Sequence, residues 1–488
     1  MKKALISVYD KSKLEIISKF LIEKNFEIYA TSGTKKYLEE KGLTVKGLDD
    51  LGIETEGLAQ GRIKTLHPLI LQKILDKEEE VFEVVIVNFY PFYEKLKEAK
   101  SEEEIFEFID IGGVNLVRAA CKNIQRVIPI VDPSDYEIFI EKYEKGITLN
   151  DRFIFASKAF EYITFYDVTI SEFFRRKAGN IIPDYLTLAG KKVYELRYGE
   201  NPQQFGVVFG REFIEPLQGK KLSYNNLLDV ETAFLCVSEF EEPTCVIVKH
   251  ASPCGVACGE SPDEAFERAY LSDPESSFGG VLAFNTPVDK ATCERILSGF
   301  FEIVVAPSFE EGVLDMFKGK KNLRVIDSSK LYVPDYEIKS VFSYILYQNR
   351  MKGTAPPSRW ELKTKKKASS SELEDLFFAL KVVKYAKSNA ICIAKAKRTL
   401  GIGSGQPSRI RALEIAVSKA KSFGLSTVGA VLASDGFFPF RDSIDKAYEE
   451  GIVAVVSPCG SIRDEEVVRA AEENGIALYF IKERYFRH

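Results

Sequence analysis

The chain is 488 residues long, enough for two to four domains and an ample core. Apolar residues make up 45% and charged residues 28%, the balance of a soluble globular enzyme rather than a disordered or membrane chain. The net charge is −5 and Lys363–Lys367 is the one long basic run, which argues against nucleic acid as a partner. No apolar stretch approaches the roughly 18 residues of a membrane span.

The opening MKKALISVYDK imitates a signal peptide, but its apolar segment ends at Asp10 and no cleavage site follows. The eight cysteines fall mostly in apolar strands and read as reduced thiols, so the expectation is a cytoplasmic protein.

Ala4–Tyr9 reads as a strand, and Ser12 to Glu15 as a capping box opening a helix with Leu14, Ile17 and Leu21 on one face. A second strand, Glu27–Ala30, runs into Thr31-Ser-Gly-Thr34 and a helix closed by Gly42. Hydroxyls and backbone N–H groups at such a turn suit a phosphate, although turns of this kind are common. Gly61 to Pro68, GRIKTLHP, brings two cations and a hydroxyl together. A buried strand, Val84–Val87, ends in Asn88-Phe-Tyr-Pro-Phe92, and Ile109-Asp-Ile-Gly-Gly-Val114 leads to Arg118 and Lys122. Each cation alone reads as a solvated surface charge; three polar clusters that follow strands or begin helices could converge at one edge of a sheet.

In this order and spacing, GRIKTLHP, NFYPF and IDIGGVNLVRAACKN resemble the inosine monophosphate (IMP) cyclohydrolase domain of a bifunctional family. That family couples 5-aminoimidazole-4-carboxamide ribonucleotide (AICAR) transformylase to the cyclohydrolase. The resemblance implies a parallel-sheet domain like methylglyoxal synthase, over residues 1–185, closing the ring of formylated AICAR (FAICAR) with loss of water. It implies that Tyr9, Asp10, Lys11, Thr31, Ser32, Gly33, Thr34, Arg62, Ile63, Lys64 and Thr65 form the nucleotide site, with phosphate at Thr31–Thr34. Val87, Asn88, Asp110 and Ile111 would line the base. Lys64, Tyr90, Asp110 and Lys122 would handle protons, Lys122 foremost. The chemistry needs such groups: the carboxamide nitrogen must lose a proton as it attacks the formyl carbon, and the departing oxygen must gain one.

An amphipathic pattern rich in Phe and Tyr runs from Asp151 to about Lys177, and Gly179 to Pro183 interrupts it, which sets a boundary near residue 185. Next comes Leu196-Arg-Tyr-Gly-Glu-Asn-Pro-Gln-Gln204. The family has His after its Asn-Pro, and here that position is Gln203.

Residues 186–488 contain an internal echo. VIVKHASPCGVACG (Val246–Gly259) is answered by ICIAKAKRTLGIGSG (Ile391–Gly405), GVLAFN by AVLASD, and VVAPS by VVSPC, at nearly constant offset. Helices starting at Pro262 and Pro407 follow in each half. The apolar run Cys245–Val248 reads as a strand buried on both faces of a parallel sheet, breaking into a turn of Ser, Pro and Gly. Units of about 190–350 and 372–488 follow, with 353–371 as a surface loop. The first unit ends its strand in Lys249-His250, the second in Lys395-Ala396. A fixed cation beside an imidazole can take one proton while stabilising negative charge elsewhere, although a lone His at a strand end is more often structural. The divergence of the two halves suggests one composite site rather than two equal ones.

VKHASPCGVA, SSFGG, SNAICIAK, GIGSGQPSRI, SDGFFPFRD and ERYFRH resemble the transformylase domain of the same family, which looks like two cytidine-deaminase-type units in tandem. The resemblance implies formyl transfer from 10-formyltetrahydrofolate to the amine of AICAR. His250 would be the general base, Lys249 would stabilise the oxyanion, and Asn389 would hold the formyl oxygen. Arg197, Tyr198, Gly279, Glu302, Arg409, Phe437 and Arg484 would bind AICAR; Ile410, Asp442, Ser461 and Ile462 would contact the folate. It further implies a homodimer, no required metal, and room for a monovalent cation beside the second unit.

Two rival readings have discriminating features. A zinc deaminase needs His-x-Glu followed by Pro-Cys-x-x-Cys; here Ser252 stands two after His250, and three residues, not two, separate Cys254 from Cys258. Alternatively residues 1–185 only sense a nucleotide, leaving a transformylase alone; the set Lys64, Tyr90, Asp110 and Lys122 argues against that.

Overall fold

The structure is a computed structural model that describes residues 2–53, 65–78, 80–179 and 182–488. Two compact units emerge: Met1–Lys191 with Phe209–Arg211, and Lys192–Val208 with Glu212–His488.

The first unit runs β1 (Lys2–Val8), α1 (Leu14–Glu23), β2 (Phe26–Ala30), α2 (Ser32–Glu40), β3 (Lys46–Gly47) and α3 (Pro68–Leu75). It continues through β4 (Phe82–Asn88), α4 (Phe92–Glu98), α5 (Glu102–Phe106), α6 (Gly112–Lys122), β5 (Ile128–Ile130), α7 (Tyr136–Lys145) and α8 (Leu149–Lys177). Its sheet is parallel throughout, in the order β3-β2-β1-β4-β5. Ala4, Leu5, Ile6 and Val84 to Val87 are buried, as expected of strands covered on both faces. The chain passes from β1 outward to β2 on one side and later returns to β4 on the other. The crevice at the carboxyl ends of β1 and β4 is therefore a topological switch point, where such sheets take ligands.

Local signals hold unevenly here. Helix α2 ends as expected, with Gly42 at φ 76° and the Leu43 N–H returning to Leu38 O. The Ser12 capping box does not form. Lys13, in a left-handed conformation, is the N-cap of α1, and the Asp10 carboxylate accepts the Ser12 N–H instead. Helix α8 starts two residues before the expected Asp151, because Thr148 and Asp151 cap each other reciprocally.

Strands β6 (Lys191–Glu195) and β7 (Val207–Gly210) form a small ribbon. The second unit then runs α9 (Tyr224–Val237), β8 (Thr244–Lys249), β9 (Ser252–Cys258), α10 (Pro262–Tyr270), α11 (Pro274–Ser277) and β10 (Val281–Phe284). Next are α12 (Lys290–Ser298), β11 (Ile303–Ala306), α13 (Val313–Phe317), β12 (Arg324–Asp327), the hairpin β13 (Tyr336–Val341) and β14 (Tyr344–Asn349), and β15 (Glu361–Leu362). The echo follows: α14 (Ser370–Val383), β16 (Ile391–Lys395), β17 (Arg398–Gly403), α15 (Arg409–Ser422) and β18 (Val431–Ser434). It closes with α16 (Asp442–Glu449), β19 (Ala454–Pro458), α17 (Asp464–Glu473) and β20 (Ala477–Ile481). One sheet carries both halves, in the order β12-β11-β10-β8-β9-β17-β16-β18-β19-β20-β15. Apart from the edge strand β15, that order is symmetric about the β9/β17 seam, as a duplication requires.

Three expectations for this unit need correction. Strand β8 is buried, but it is antiparallel to both neighbours, β9 and β10. The turn after it is only two residues, His250-Ala251, and SPCGVAC is itself a strand rather than a loop. Its glycine serves close packing: a Cβ on Gly255 would lie 2.2 Å from Ala269 O, and on Gly403 1.8 Å from Ala412 O. Pro407 precedes the N-cap Ser408 rather than opening α15. Residues 353–371 are not a loose loop either. They contribute β15, paired to β20, and bury Ala355 and Thr364, because Trp360 packs on Tyr479 at 5.9 Å between ring centroids.

Candidate active sites

In the first unit, the carboxyl end of β1 is held by Asn88 at the end of β4. Its Oδ1 accepts the Tyr9 and Asp10 N–H groups at 2.7 and 2.9 Å, and its Nδ2 donates to Asp10 O at 2.8 Å. Asn88 and Val87 are buried, and Asn88 shapes the loop of Tyr9 and Asp10. Thr34 is buried with its hydroxyl against the Val8 main chain, and Thr31 caps the start of α2. The space beside Gly33 is open, since a Cβ there would meet nothing within 4 Å. An open helix amino terminus at a switch point suits an anion.

Asp110 caps α6 from the same edge, accepting the Gly113 N–H at 2.6 Å. Burial pushes its carboxyl above the usual range, opposed by N–H groups of Gly113 and Tyr90. The Tyr90 phenol is also raised, by burial and then by the Asp110 and Tyr9 charges, and the Tyr9 and Tyr90 rings meet edge to face at 5.6 Å. Gly112 and Gly113 are required by closeness: Cβ atoms there would lie 2.1 Å from Thr65 Oγ1 and 2.9 Å from Asp110 Oδ2. Ile111, the residue before them, is exposed. Tyr166 was missed in the sequence. Its hydroxyl accepts the Asp110 N–H at 2.6 Å and donates to Phe108 O at 2.5 Å, fixing the loop that carries Asp110.

Lys122 is not brought to this cluster. It ends α6, whose other end Asp110 caps, and a helical rise of about 1.5 Å per residue puts about 15 Å between them. Arg62, Ile63 and Lys64 lie outside the described residues.

In the second unit, His250 and Ala251 form the β8–β9 turn with φ 56° and 55°, a left-handed pair unusual without glycine. Asp229 on α9 holds it by accepting the Ala251 N–H at 2.5 Å. Burial raises the Asp229 carboxyl; that hydrogen bond and the His250 charge oppose it. Lys249 donates to Phe278 O at 2.7 Å, just before Gly279 with φ 74°. His250 is exposed.

The echo repeats this scaffold without the base. Ala396 and Lys397 have φ 53° and 51°, Asp375 accepts both N–H groups, and Lys395 donates to Val428 O at 2.9 Å. Asp229 and Asp375 are 146 residues apart, as are Lys249 and Lys395, so extending the repeat upstream would have revealed both carboxylates. The left-handed turn therefore belongs to the fold, and the imidazole is what sets the first half apart.

Because β9 and β17 are antiparallel, the two turns lie at opposite ends of the seam. Beside the His250 turn stands the entrance to β16. The Ser252 and Ser404 hydroxyls are 2.8 Å apart, and Ser404 Oγ accepts the Lys387 N–H at 3.1 Å, two residues before Asn389. Asn389 Oδ1 accepts from Arg409 Nη2 at 2.7 Å and its Nδ2 donates to Gln406 O at 2.9 Å. These bonds fix the amide orientation and use one of the two Nδ2 hydrogens. Arg409 is buried against Asp435 and Ser434, so it anchors Asn389 as well as offering charge. Arg484 stacks on Phe437 at 4.9 Å.

On the hairpin side, Arg197 lies over the Tyr198 ring at 4.6 Å and donates to its hydroxyl. Glu302 accepts from Asn226 at 3.0 Å and sits 3.5 Å from Arg324. Burial lowers Arg324, and it feels the charges of Glu302 and Arg197. Asn226 and Arg324 are further residues the sequence reading missed. Asp442 opens α16, two residues after Phe440, and the fully exposed Ile462 in the loop after β19 precedes Arg463, whose guanidinium lies over the Phe440 ring. Ile410 is the second residue of α15, and the Asp464 carboxylate accepts the Ser461 N–H.

A shared metal for His250, Cys254 and Cys258 is excluded by geometry. The two cysteines are four residues apart on an extended strand, about 13 Å, with Cys254 turned to Ile247 O and Cys258 to Thr244. Among the described residues no group of three or more His, Cys, Asp or Glu could hold a metal ion. No described helix is long and apolar enough to cross a membrane.

Two units, each with ionisable groups converging at a sheet edge, define a two-site enzyme. Residues 13–115 match a methylglyoxal-synthase-like domain and residues 120–419 the family described as the AICARFT/IMPCHase bienzyme. Full-length matches, covering all of both chains, include bifunctional purine biosynthesis proteins PurH of Aquifex aeolicus (45% identical), Caldicellulosiruptor saccharolyticus (43%) and Persephonella marina (43%). The chain belongs to the AICARFT/IMPCHase bienzyme family. It is a bifunctional enzyme of purine biosynthesis, an AICAR formyltransferase and an IMP cyclohydrolase.

Proposed function

We propose that formyl transfer takes place where the Lys249-His250 hairpin meets Asn389, with 10-formyltetrahydrofolate as donor, and that FAICAR then cyclises in the crevice between β1 and β4. The observation that carries this is the Ser252–Ser404 bridge, which holds base, cation and amide donor at one end of one seam. The donor supplies the formyl carbon; the chain supplies proton transfer and orientation. The AICAR amine, conjugated to its carboxamide, is a poor nucleophile, and His250 removes its proton as the new C–N bond forms. Collapse of the tetrahedral intermediate then breaks the bond between the formyl carbon and the folate nitrogen, which leaves as tetrahydrofolate after taking a proton with the help of Lys249. Lys249 keeps two N–H groups beyond its bond to Phe278 O, and with the remaining Asn389 N–H they meet the oxyanion. Arg197 and Arg484 suit the phosphate end, while Gly279 and Glu302 border the hairpin. Exposed Ile462 and Phe440 offer an apolar face for a pterin ring, with Ile410, Asp442 and Ser461 beside it.

In the first unit, the start of α2 takes the phosphate, and Asp110 and Tyr90 exchange protons at the forming ring. Their raised values suit a proton donor. Lys64 keeps the role its motif implies. Lys122 lies far from this cluster within one chain. The domain boundary falls near residue 185, the enzyme works in the cytoplasm as a homodimer, and no metal is required.

Purified protein incubated with AICAR and 10-formyltetrahydrofolate should release tetrahydrofolate and IMP. Release of FAICAR without IMP would leave the sensor reading of the first unit standing.

A further inference from the structure

Arg487 joins the two halves of the transformylase site. Its main chain pairs with the residue before Asn389: the Ser388 N–H donates to Arg487 O at 2.9 Å, and the Arg487 N–H to Ser388 Oγ at 3.1 Å. Its side chain reaches the other half. Nη2 donates to Thr232 Oγ1 at 2.8 Å, and the guanidinium lies 5.9 Å from the Tyr385 ring centroid. Thr232 is on α9, one turn beyond Asp229, whose carboxylate holds the His250-Ala251 turn. One residue thus spans from the helix that sets the imidazole to the peptide that sets the amide.

We propose that Arg487 is a positioning residue for formyl transfer. It fixes α9, and with it His250, relative to Asn389, without touching substrate. The inference rests on the reading of His250 and Asn389 as the reacting pair. A planar guanidinium holds a directional contact with little loss of freedom, and reacting groups displaced by about 1 Å lose on the order of 10²-fold in rate.

The test uses the full chain, with cyclisation of FAICAR on the same sample as internal control. Arg487→Ala should lower kcat for formyl transfer by about 10–100-fold, leaving KM for AICAR within about twofold and cyclisation unchanged. Added ethylguanidinium should restore part of the lost rate, whereas Arg487→Lys should not recover it. Thr232→Val should lower the same kcat, and the double variant should be no slower than Arg487→Ala alone, since both break one tie. Wild-type kcat per folded molecule, equal loss of both activities, or additive losses would overturn the inference. Should Arg487→Ala not fold, Thr232→Val decides alone: a kcat-selective loss supports the tie, and unchanged kcat refutes it. His250→Ala separates the two readings. Retained formyl transfer there would sink the site itself, while a dead His250→Ala beside an unaffected Arg487→Ala would sink only the role of Arg487.

Discussion

Ser252 and Ser404 face each other across the seam between the repeats, their hydroxyl oxygens 2.8 Å apart, and Ser404 also receives the Lys387 N–H. Each hydroxyl comes from a different half of the duplication. Removing Ser404 leaves the Lys387 N–H without its acceptor and loosens the approach to Asn389. Ser404→Ala should therefore slow formyl transfer by about tenfold while cyclisation stays unchanged, read by parallel assays on one preparation. Equal slowing of both reactions would point to general destabilisation.

His250, the proposed base, sits on a left-handed turn, and substitution can separate the two roles. Asn accepts the left-handed conformation better than His and cannot take the proton. His250→Asn should cut formyl transfer by about 10²–10⁴-fold while leaving thermal stability equal or higher. Cyclisation should be intact. At the echo, Ala396→Gly should raise stability by about 1 kcal/mol with both activities unchanged, measured by denaturant unfolding. An unaltered rate in His250→Asn would remove the imidazole from the mechanism.

Asp229 and Asp375 hold equivalent turns, yet only one turn bears a histidine. Asp229→Asn and Asp375→Asn should each cost about 1 kcal/mol of stability. Only the first should slow formyl transfer per folded molecule. If both do, the second hairpin takes part in catalysis.

The proposed role of Asp110 in cyclisation predicts a pH signature. Burial raises its folded value above the unfolded one. Its contribution to stability is therefore complete below the ordinary aspartate range, near pH 3.9, and declines as pH rises through the raised value. Asp151 behaves oppositely: the Lys142 and Thr148 bonds lower it, so its contribution is present above that range and lost as pH falls. Asp110→Asn should lower cyclisation by more than about 10²-fold and remove the fall in rate that accompanies rising pH through its raised value. Lys122→Ala should cost far less, about threefold at most, from the opposite end of α6. A larger loss in Lys122→Ala than in Asp110→Asn would reverse the assignment.

By itself the sequence determined the strands, because β1, β4, β8 and β16 are apolar runs with no other stable home than a sheet interior. It also determined the duplication, since repeated order at constant offset survives without coordinates, and it marked Lys249-His250 by the absence of His from the echo. Only the tertiary structure decided direction and partnership. A four-residue apolar run looks the same in parallel and antiparallel sheets, so the hairpin at His250-Ala251, and the role of glycines 255 and 403 in admitting helices, were not legible. Nor were Ser404, Arg324, Tyr166 and Arg487, each of which acts through a hydrogen bond to a residue remote in sequence. Lys122 shows the converse: proximity in a motif is not proximity in space once a helix runs between two groups.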